Sequence, residues 1–368
     1  MLNLWLVLAT VVPSFLISLG VVAGVRWLAP RWKLMDKPDA RKVHAAPIPL
    51  GGGLGIWAGL IGCFALGSLM VLSLSPASLP EELAGYQPGL LAKVGELWWL
   101  LAGGTLLMLL GLADDRYGLG WKVRLLIEAT VAAGVVFGLE LQLTAFIESR
   151  WLTAILSILW IVALINSFNM LDNMDGLSGG VAFLAALILA VMLLGQPDPA
   201  HQQPQVFVAS LLLVLCGSLL GFLVHNWPPA RIFMGDAGSY LVGYWIAVAT
   251  LLTTYTGYRS SQPHAIIAPL CILAIPLYDM TSVILIRLRE GRSPFEADRR
   301  HFSHRLVELG LSKKQAVLTI YLATMTCGLS SLLLNRTDGV GAGIIVLMVL
   351  SILGLIAVLE SLSRKKDA

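Results

Sequence analysis

Ile155-Leu-Ser-Ile-Leu-Trp-Ile-Val-Ala-Leu-Ile165-Asn166-Ser-Phe-Asn169-Met-Leu-Asp172-Asn173-Met-Asp175-Gly176 drives an apolar run straight into three amides and two carboxylates, and a second apolar run, Val181–Leu194, follows at once. The enclosing segments, 151–168 and 178–195, each have the roughly 17–25 residues that an α-helix needs to cross a bilayer. Lipid cannot hydrogen-bond a bare backbone, so helices are the expected crossing elements. Amides and acids at the edge of hydrocarbon are costly to keep and as a rule functional. One stretch therefore predicts both an all-α, polytopic integral membrane protein and a polar site at a membrane face.

Outward from that stretch the pattern repeats. Of 368 residues, 57% are hydrophobic and only 13% charged, against about 25% charged in a soluble domain. Spanning segments are expected at 4–29, 51–74, 97–113, 123–141, 151–168, 178–195, 206–224, 238–256, 265–286, 315–334 and 340–359, eleven helices with 97–113 the shortest. The first is too long for a signal-peptide core. No internal repeat, low-complexity tract or linker interrupts the chain, so residues 1–368 are expected to form a single membrane domain.

Basic residues set the orientation. With connection 30–50 placed in the cytoplasm, only Lys93, Arg150, Arg259 and Arg336 of 25 Lys and Arg fall outside. The positive-inside bias then predicts an external N-terminus and a cytoplasmic C-terminus. Every polar cluster lands on the cytoplasmic side, as an enzyme using a cytosolic, phosphate-rich substrate would require. A net charge of +3, without aromatic residues interleaved among the bases, excludes nucleic acid as a partner. Cys63, Cys216, Cys271 and Cys327 stand singly in apolar segments, expected as core residues.

Asp114-Asp115 ends the third segment, where two carboxylates oppose the negative end of the helix dipole and call for a metal ion or a basic partner. Lys122 follows as a candidate phosphate ligand, and Arg124 and Glu128, spaced i, i+4, are expected to pair. Asn166, Asn169 and Asn173, with Asp172 and Asp175, form oxygen-rich faces suited to Mg²⁺, and Asp236 in its glycine-flanked turn is the best candidate to complete that shell. Asn226 and Phe233 could hydrogen-bond and stack on a planar base. The loop from Arg287 to Lys314, with His301 and His304, is expected to cradle a diphosphate. Asp279 is an intramembrane acid and so a functional suspect. Gly51-Gly52-Gly53 lacks the Lys-Ser/Thr of a P-loop and is expected to start a helix and permit close helix contact.

In these residues the chain resembles the polyprenyl-phosphate N-acetylhexosamine-1-phosphate transferases, the WecA and TagO type of glycosyltransferase family 4, related to MraY of peptidoglycan synthesis. The resemblance covers nearly the whole chain. It rests on Asp36-Lys-Pro-Asp39-Ala-Arg41-Lys42-Val-His44 with Pro-Ile-Pro-Leu-Gly-Gly-Gly, the Asp-Asp pair, Asn169-Met-Leu-Asp172-Asn-Met-Asp175-Gly, Phe-Met-Gly-Asp236, and Gly-Arg-Ser-Pro-Phe through His304. It implies transfer of an N-acetylhexosamine 1-phosphate, foremost GlcNAc 1-phosphate, from a UDP-sugar to undecaprenyl phosphate in the bacterial plasma membrane, with release of UMP. It further implies that Asn169 and Asp236 hold Mg²⁺ (Mn²⁺ as a substitute) and that Asp114, Asp115, Asp172 and Asp175 serve catalysis. Asp175, Asn226 and Phe233 would meet the nucleotide, and Lys122, Arg299, His301 and His304 the phosphates. A homodimer is the candidate assembly.

Two departures from the family pattern stand out. Its His-x-His-His is His301-Phe-Ser303-His304 here. The Thr-Pro-Thr-Met-Gly-Gly of the MraY branch is replaced by Pro-Ile-Pro-Leu-Gly-Gly, which argues against the alternative of a phospho-MurNAc-pentapeptide transferase. The rival from another class, a secondary transporter for an anionic solute, would place its polar residues at mid-membrane in repeated halves. Neither feature is visible.

Overall fold

The computed structural model describes residues 2–36, 47–74, 85, 87–141, 143, 149–195, 205–257, 263–296, 298 and 300–364. The described chain is a helical bundle. Its helices are α1 (Leu2–Trp32), α2 (Gly52–Ser73), α3 (Gln87–Tyr117), α4 (Trp121–Gly138), α5 (Arg150–Leu171), α6 (Leu177–Leu194), α7 (Val206–Asn226) and α8 (Gly235–Gly257). They continue with α9 (Ala268–Ile272), α10 (Ala274–Arg289), α11 (Phe302–Glu308), α12 (Lys313–Ser331) and α13 (Gly339–Arg364). Two short strands, Met35–Asp36 and Ile48–Pro49, pair antiparallel beyond the end of α1.

Among the described residues seven helices, α1, α2, α3, α5, α6, α7 and α13, are long and apolar enough to cross a membrane by length and composition. The protein is therefore an all-α, multi-pass membrane protein. α8 is less apolar, and its position explains why. It runs through the middle of the bundle against α2, α3, α5 and α7, so neighbouring side chains surround it instead of lipid. Tyr240, Tyr244 and Trp245 are buried there. Their polar tips are satisfied: Tyr244 OH donates to Leu100 O (3.0 Å) and Trp245 Nε1 to Leu211 O (3.0 Å).

Small residues set the closest contacts, as expected where helices associate without a hydrophobic drive. A Cβ on Gly221 of α7 would lie 2.6 Å from Phe15 O of α1. At that contact Ser18 Oγ donates to Ser218 O (2.7 Å). The four cysteines are free and buried, as expected of core residues.

Two segments differ from expectation. The third helix, expected over 97–113, spans Gln87–Tyr117, so Asp114 and Asp115 lie inside its last turn. The ninth segment, expected as one helix over 265–286, is a 3₁₀ turn (Pro263–Ile267) followed by α9 and α10, which are separated at Leu273. Pro276 accounts for the break, since it has no N–H for the carbonyl four residues earlier and its ring crowds that carbonyl. The short helix α11 is a further element that the reading of the 287–314 loop did not anticipate.

Candidate active site

The site is built at the end of the bundle where α3, α5 and α7 finish and α2, α6 and α8 begin. Its keystone is the Phe233-Met-Gly-Asp236 turn. Phe233 N–H donates to Pro49 O (2.9 Å), Gly52 N–H to Phe233 O (2.9 Å) and Gly53 N–H to Met234 O (3.0 Å). The Pro-Ile-Pro-Leu-Gly-Gly-Gly run thus lies alongside the turn as a partial ladder. Gly235 takes φ +71°, a conformation that costs a residue with a Cβ. The backbones then meet without side chains between them. A Cβ on Gly53 would lie 2.2 Å from Gly238 N, and one on Gly111 would lie 2.3 Å from Asp236 C. The glycine run makes the close helix contact expected of it.

Protein groups answer part of the repulsion expected at Asp114-Asp115. Asp115 accepts Asp236 N–H at Oδ1 (2.9 Å) and Ala237 N–H at Oδ2 (3.3 Å), so it caps the N-terminus of α8. There the macrodipole favours an anion. Asp114 Oδ1 accepts Leu119 N–H (2.6 Å), while Oδ2 accepts Arg124 Nη1 and Tyr240 OH, both at 2.8 Å. The expected Arg124–Glu128 pairing is corrected accordingly. Arg124 turns to Asp114, and Glu128, buried inside α4, accepts Asn166 Nδ2 (2.5 Å). A charged hydrogen bond to a buried carboxylate on another helix outweighs a pairing along one helix surface, worth only about 0.2–0.5 kcal/mol.

Asn169 and Asp236, both expected at the metal, are brought together: Asn169 Nδ2 donates to Asp236 Oδ1 (2.6 Å) and to Ser239 Oγ (3.0 Å). The carboxyls of Asp114 and Asp236 are also within hydrogen-bonding range, with Asp115 close to both. Asp172 is the C-cap of α5 and accepts Gly235 N–H. It keeps some contact with solvent but is surrounded by protein. That desolvation, with repulsion from Asp115 and Asp175, pushes its carboxyl up to about 7.

Such a crowd of acids is one that a cation relieves. Among the described residues no three His, Cys, Asp or Glu side chains form a metal cage. Mg²⁺ does not require one, because it keeps waters and shares substrate phosphates with one or two carboxylates. The donor set fits that ion.

The nucleotide candidates divide. Asp175 Oδ2 accepts Ala230 N–H (2.9 Å). Asn226, 3% exposed, accepts Gly176 N–H at Oδ1 (2.9 Å) and donates from Nδ2 to Ile232 O (2.8 Å). The expected base contact from Asn226 is therefore corrected. Its amide is used at both ends to tie the 172–176 loop to the 226–232 segment, and Tyr321 OH donates to Gly176 O from α12. Phe233 is half-buried beside the Asp236 turn.

The phosphate candidates divide too. Lys122 is exposed, its Nζ 5.6 Å from the Trp121 ring centroid. His301 is buried with Nδ1 2.9 Å from Asp279 Oδ2, and His304 is half-buried, 6.4 Å from it ring to ring. Arg299, like residues 37–46 of the first motif and Arg259, lies outside the described residues. Four other arginines of this loop are engaged by acids. Arg287 forks onto Asp298 (2.9 and 3.3 Å), Arg292 pairs with Glu290 and Glu296, Arg300 with Glu290, and buried Arg305 with Glu360 of α13 (3.0 Å). The acids interleaved in the same loop, and one from the far end of the chain, pair with these four arginines. Ser303, where the family has histidine, is buried and donates to Asn173 Oδ1, which fixes α11 beside the 172–176 loop.

Tyr240 and Ser239 were missed as site residues. Their spacing of i+4 and i+3 from Asp236 puts them on its face of α8, a signal that was available.

Residues 97–254 match the sequence profile described as glycosyl transferase family 4. The chain is similar to the probable undecaprenyl-phosphate N-acetylglucosaminyl 1-phosphate transferase of Bacillus subtilis (strain 168), with 32% identity over 88% of this chain and 85% of that protein. It is likewise similar to the undecaprenyl-phosphate alpha-N-acetylglucosaminyl 1-phosphate transferase of Escherichia coli (strain K12), with 32% identity over 88% and 82%. A third relative is the decaprenyl-phosphate N-acetylglucosaminephosphotransferase of Mycobacterium tuberculosis (strain CDC 1551 / Oshkosh), with 31% identity over 83% and 77%.

Proposed function

The chain belongs to glycosyl transferase family 4, and from that premise we propose that it is the enzyme that transfers GlcNAc 1-phosphate from UDP-GlcNAc to a polyprenyl phosphate, releasing UMP. The observation that carries this reading is the convergence of Asp115, Asp236, Asn169 and Asp172 from α3, α8 and α5 at one end of a membrane bundle. The names and coverage of the relatives support the same donor sugar and lipid class.

In this reading α1 to α8, the broken α9/α10, α12 and α13 make eleven crossings, with the N-terminus outside and the site facing the cytoplasm of a bacterial plasma membrane. The basic residues left on that face support it.

The chemistry is phosphoryl exchange. An oxygen of the lipid phosphate attacks the β-phosphorus of the UDP-sugar. The bond from that phosphorus to the bridging oxygen breaks, and UMP leaves with the electron pair. The acceptor's second ionisation lies near 6, so at neutral pH it is already nucleophilic without a general base. That suits Asp114, whose lone pairs serve Leu119, Arg124 and Tyr240. Asp115 acts as the brace that fixes Asp236. Asp236 and Asn169 would hold Mg²⁺, which when bound supplies positive charge to offset that developing on the departing phosphate. Lys122, His301 and His304 are the described basic groups proposed to meet substrate phosphates, and Asp175 and Phe233 to border the nucleotide.

The test is purified protein with polyprenyl phosphate, Mg²⁺ and a panel of UDP-GlcNAc, UDP-GalNAc and UDP-MurNAc-pentapeptide, reading UMP. UMP is expected with UDP-GlcNAc and only when lipid is present. A stoichiometric burst of UMP without lipid would replace direct attack by a covalent intermediate. No transfer from any donor would overturn the function.

A further inference from the structure

His301 is the N-cap residue of α11, but its ring caps nothing on that helix. Asp279, fully buried in α10, holds it from outside: Oδ2 lies 2.9 Å from His301 Nδ1, and Oδ1 accepts Phe302 N–H at 2.6 Å. A carboxylate offers only acceptors, so Nδ1 must carry the hydrogen in this contact. Two bonds from one carboxylate to consecutive residues fix both the orientation of the ring and the start of α11. The ring's other nitrogen, Nε2, is left without a partner among the described residues.

The surroundings make this a clamp. Tyr278, one residue before Asp279, meets the Phe302 ring edge-on (6.0 Å, 86°). Ser282, one turn later, donates to Asp279 O (3.0 Å) and accepts from Arg305 (2.9 Å). On its other side α11 touches the acidic loop through Ser303 and Asn173, next to Asp172. α10 therefore holds one flank of α11 while the other flank borders the site.

We propose that Asp279 is a positioning residue of the transfer reaction: it holds His301 by Nδ1–H and so directs Nε2–H to the diphosphate oxygens of the substrate, which, like the carboxylate, can only accept. The proposal rests on the functional reading above and deepens it. An asparagine at 279 can still accept from Phe302 N–H, but its amide then donates to Nδ1, which leaves the ring a hydrogen on Nε2 alone and no charge of its own. The ring would keep its place and lose the protonation pattern that Asp279 imposes.

A double-mutant cycle tests it on the purified enzyme, with transfer activity and melting temperature read together. Asp279→Asn is expected to lower kcat by on the order of 10², the cost of weakening one preorganised group, with Tm within a few degrees of wild type. His301→Ala should cost as much or more, and the double variant should be no slower than His301→Ala within about threefold, since Asp279 acts only through that ring. If Asp279→Asn does not fold, Asp279→Ser, which leaves an oxygen for Phe302 N–H, takes its place in the cycle with the same expectation. Wild-type activity in Asp279→Asn, or full additivity with His301→Ala, would overturn the proposal. A wild-type enzyme inactive toward every donor would instead sink the functional reading.

Discussion

Gly111→Ala places one methyl group where the site has no room for it. The new Cβ would lie 2.3 Å from both C and O of Asp236 and 2.4 Å from Ala237 N. Non-bonded carbon contacts settle at about 3.5–4.0 Å, so the first turn of α8 must retreat by roughly 1 Å. Retreat toward α2 is blocked, because Gly238 already lies against Gly53. Any movement away from α3 stretches the two Asp115 bonds, now 2.9 and 3.3 Å, and the longer passes beyond hydrogen-bonding range. Overpacking costs about 1–3 kcal/mol and a lost N-cap about 1 kcal/mol, which a large bundle survives. Catalysis is less forgiving, since a displacement of about 1 Å at a reacting group can cost on the order of 10² in rate. Gly111→Ala should therefore lose about 10²-fold in UMP release while remaining folded by size exclusion and thermal melting. Gly134→Ala, whose Cβ meets nothing within 4 Å, is the control and should match wild type. Activity of Gly111→Ala within about threefold of wild type would refute the idea that backbone contact at α3 and α8 sets Asp236.

Asp236→Asn should lower turnover by on the order of 10²–10³ with little change in expression or melting; retention of most activity at saturating Mg²⁺ would move the metal toward Asp114 and Asp115. Orientation is testable by thiol labelling after removal of the four native cysteines: Gly85→Cys should react with an impermeant reagent in intact cells and Glu308→Cys should not, and the reverse pattern would overturn a cytoplasmic site.

The helices were legible because hydropathy and helix length are local properties of the chain. The exceptions have local causes that were underweighted: Pro276 breaks the ninth segment, and α3 begins ten residues before the apolar core that marked it. That these acids and amides would come together was legible as well, since Asp115, Asn169, Asp172 and Asp236 converge. What each one touches was not. Arg124 has an acid at i+4 on its own helix, and nothing in the sequence says that Asp114 of α3 is the nearer partner. Asn226 looks like a ligand group until its two backbone bonds are seen. That Arg305 of the arginine loop is paired could not be read from the loop itself, because its partner is Glu360, far along the chain in α13.

That Arg305–Glu360 contact has a bearing on biogenesis. Helix α3 supplies Asp115, α5 and α8 follow with Asn169 and Asp236, and the segment that carries the histidines, held by Asp279 of α10, gains a further tie when α13 docks its buried carboxylate on Arg305. During synthesis the acidic half of the centre thus emerges well before the half proposed to bind the donor's phosphates is locked. Until α13 inserts, Arg305 would lack its acid, so the last tie on that segment forms late in synthesis.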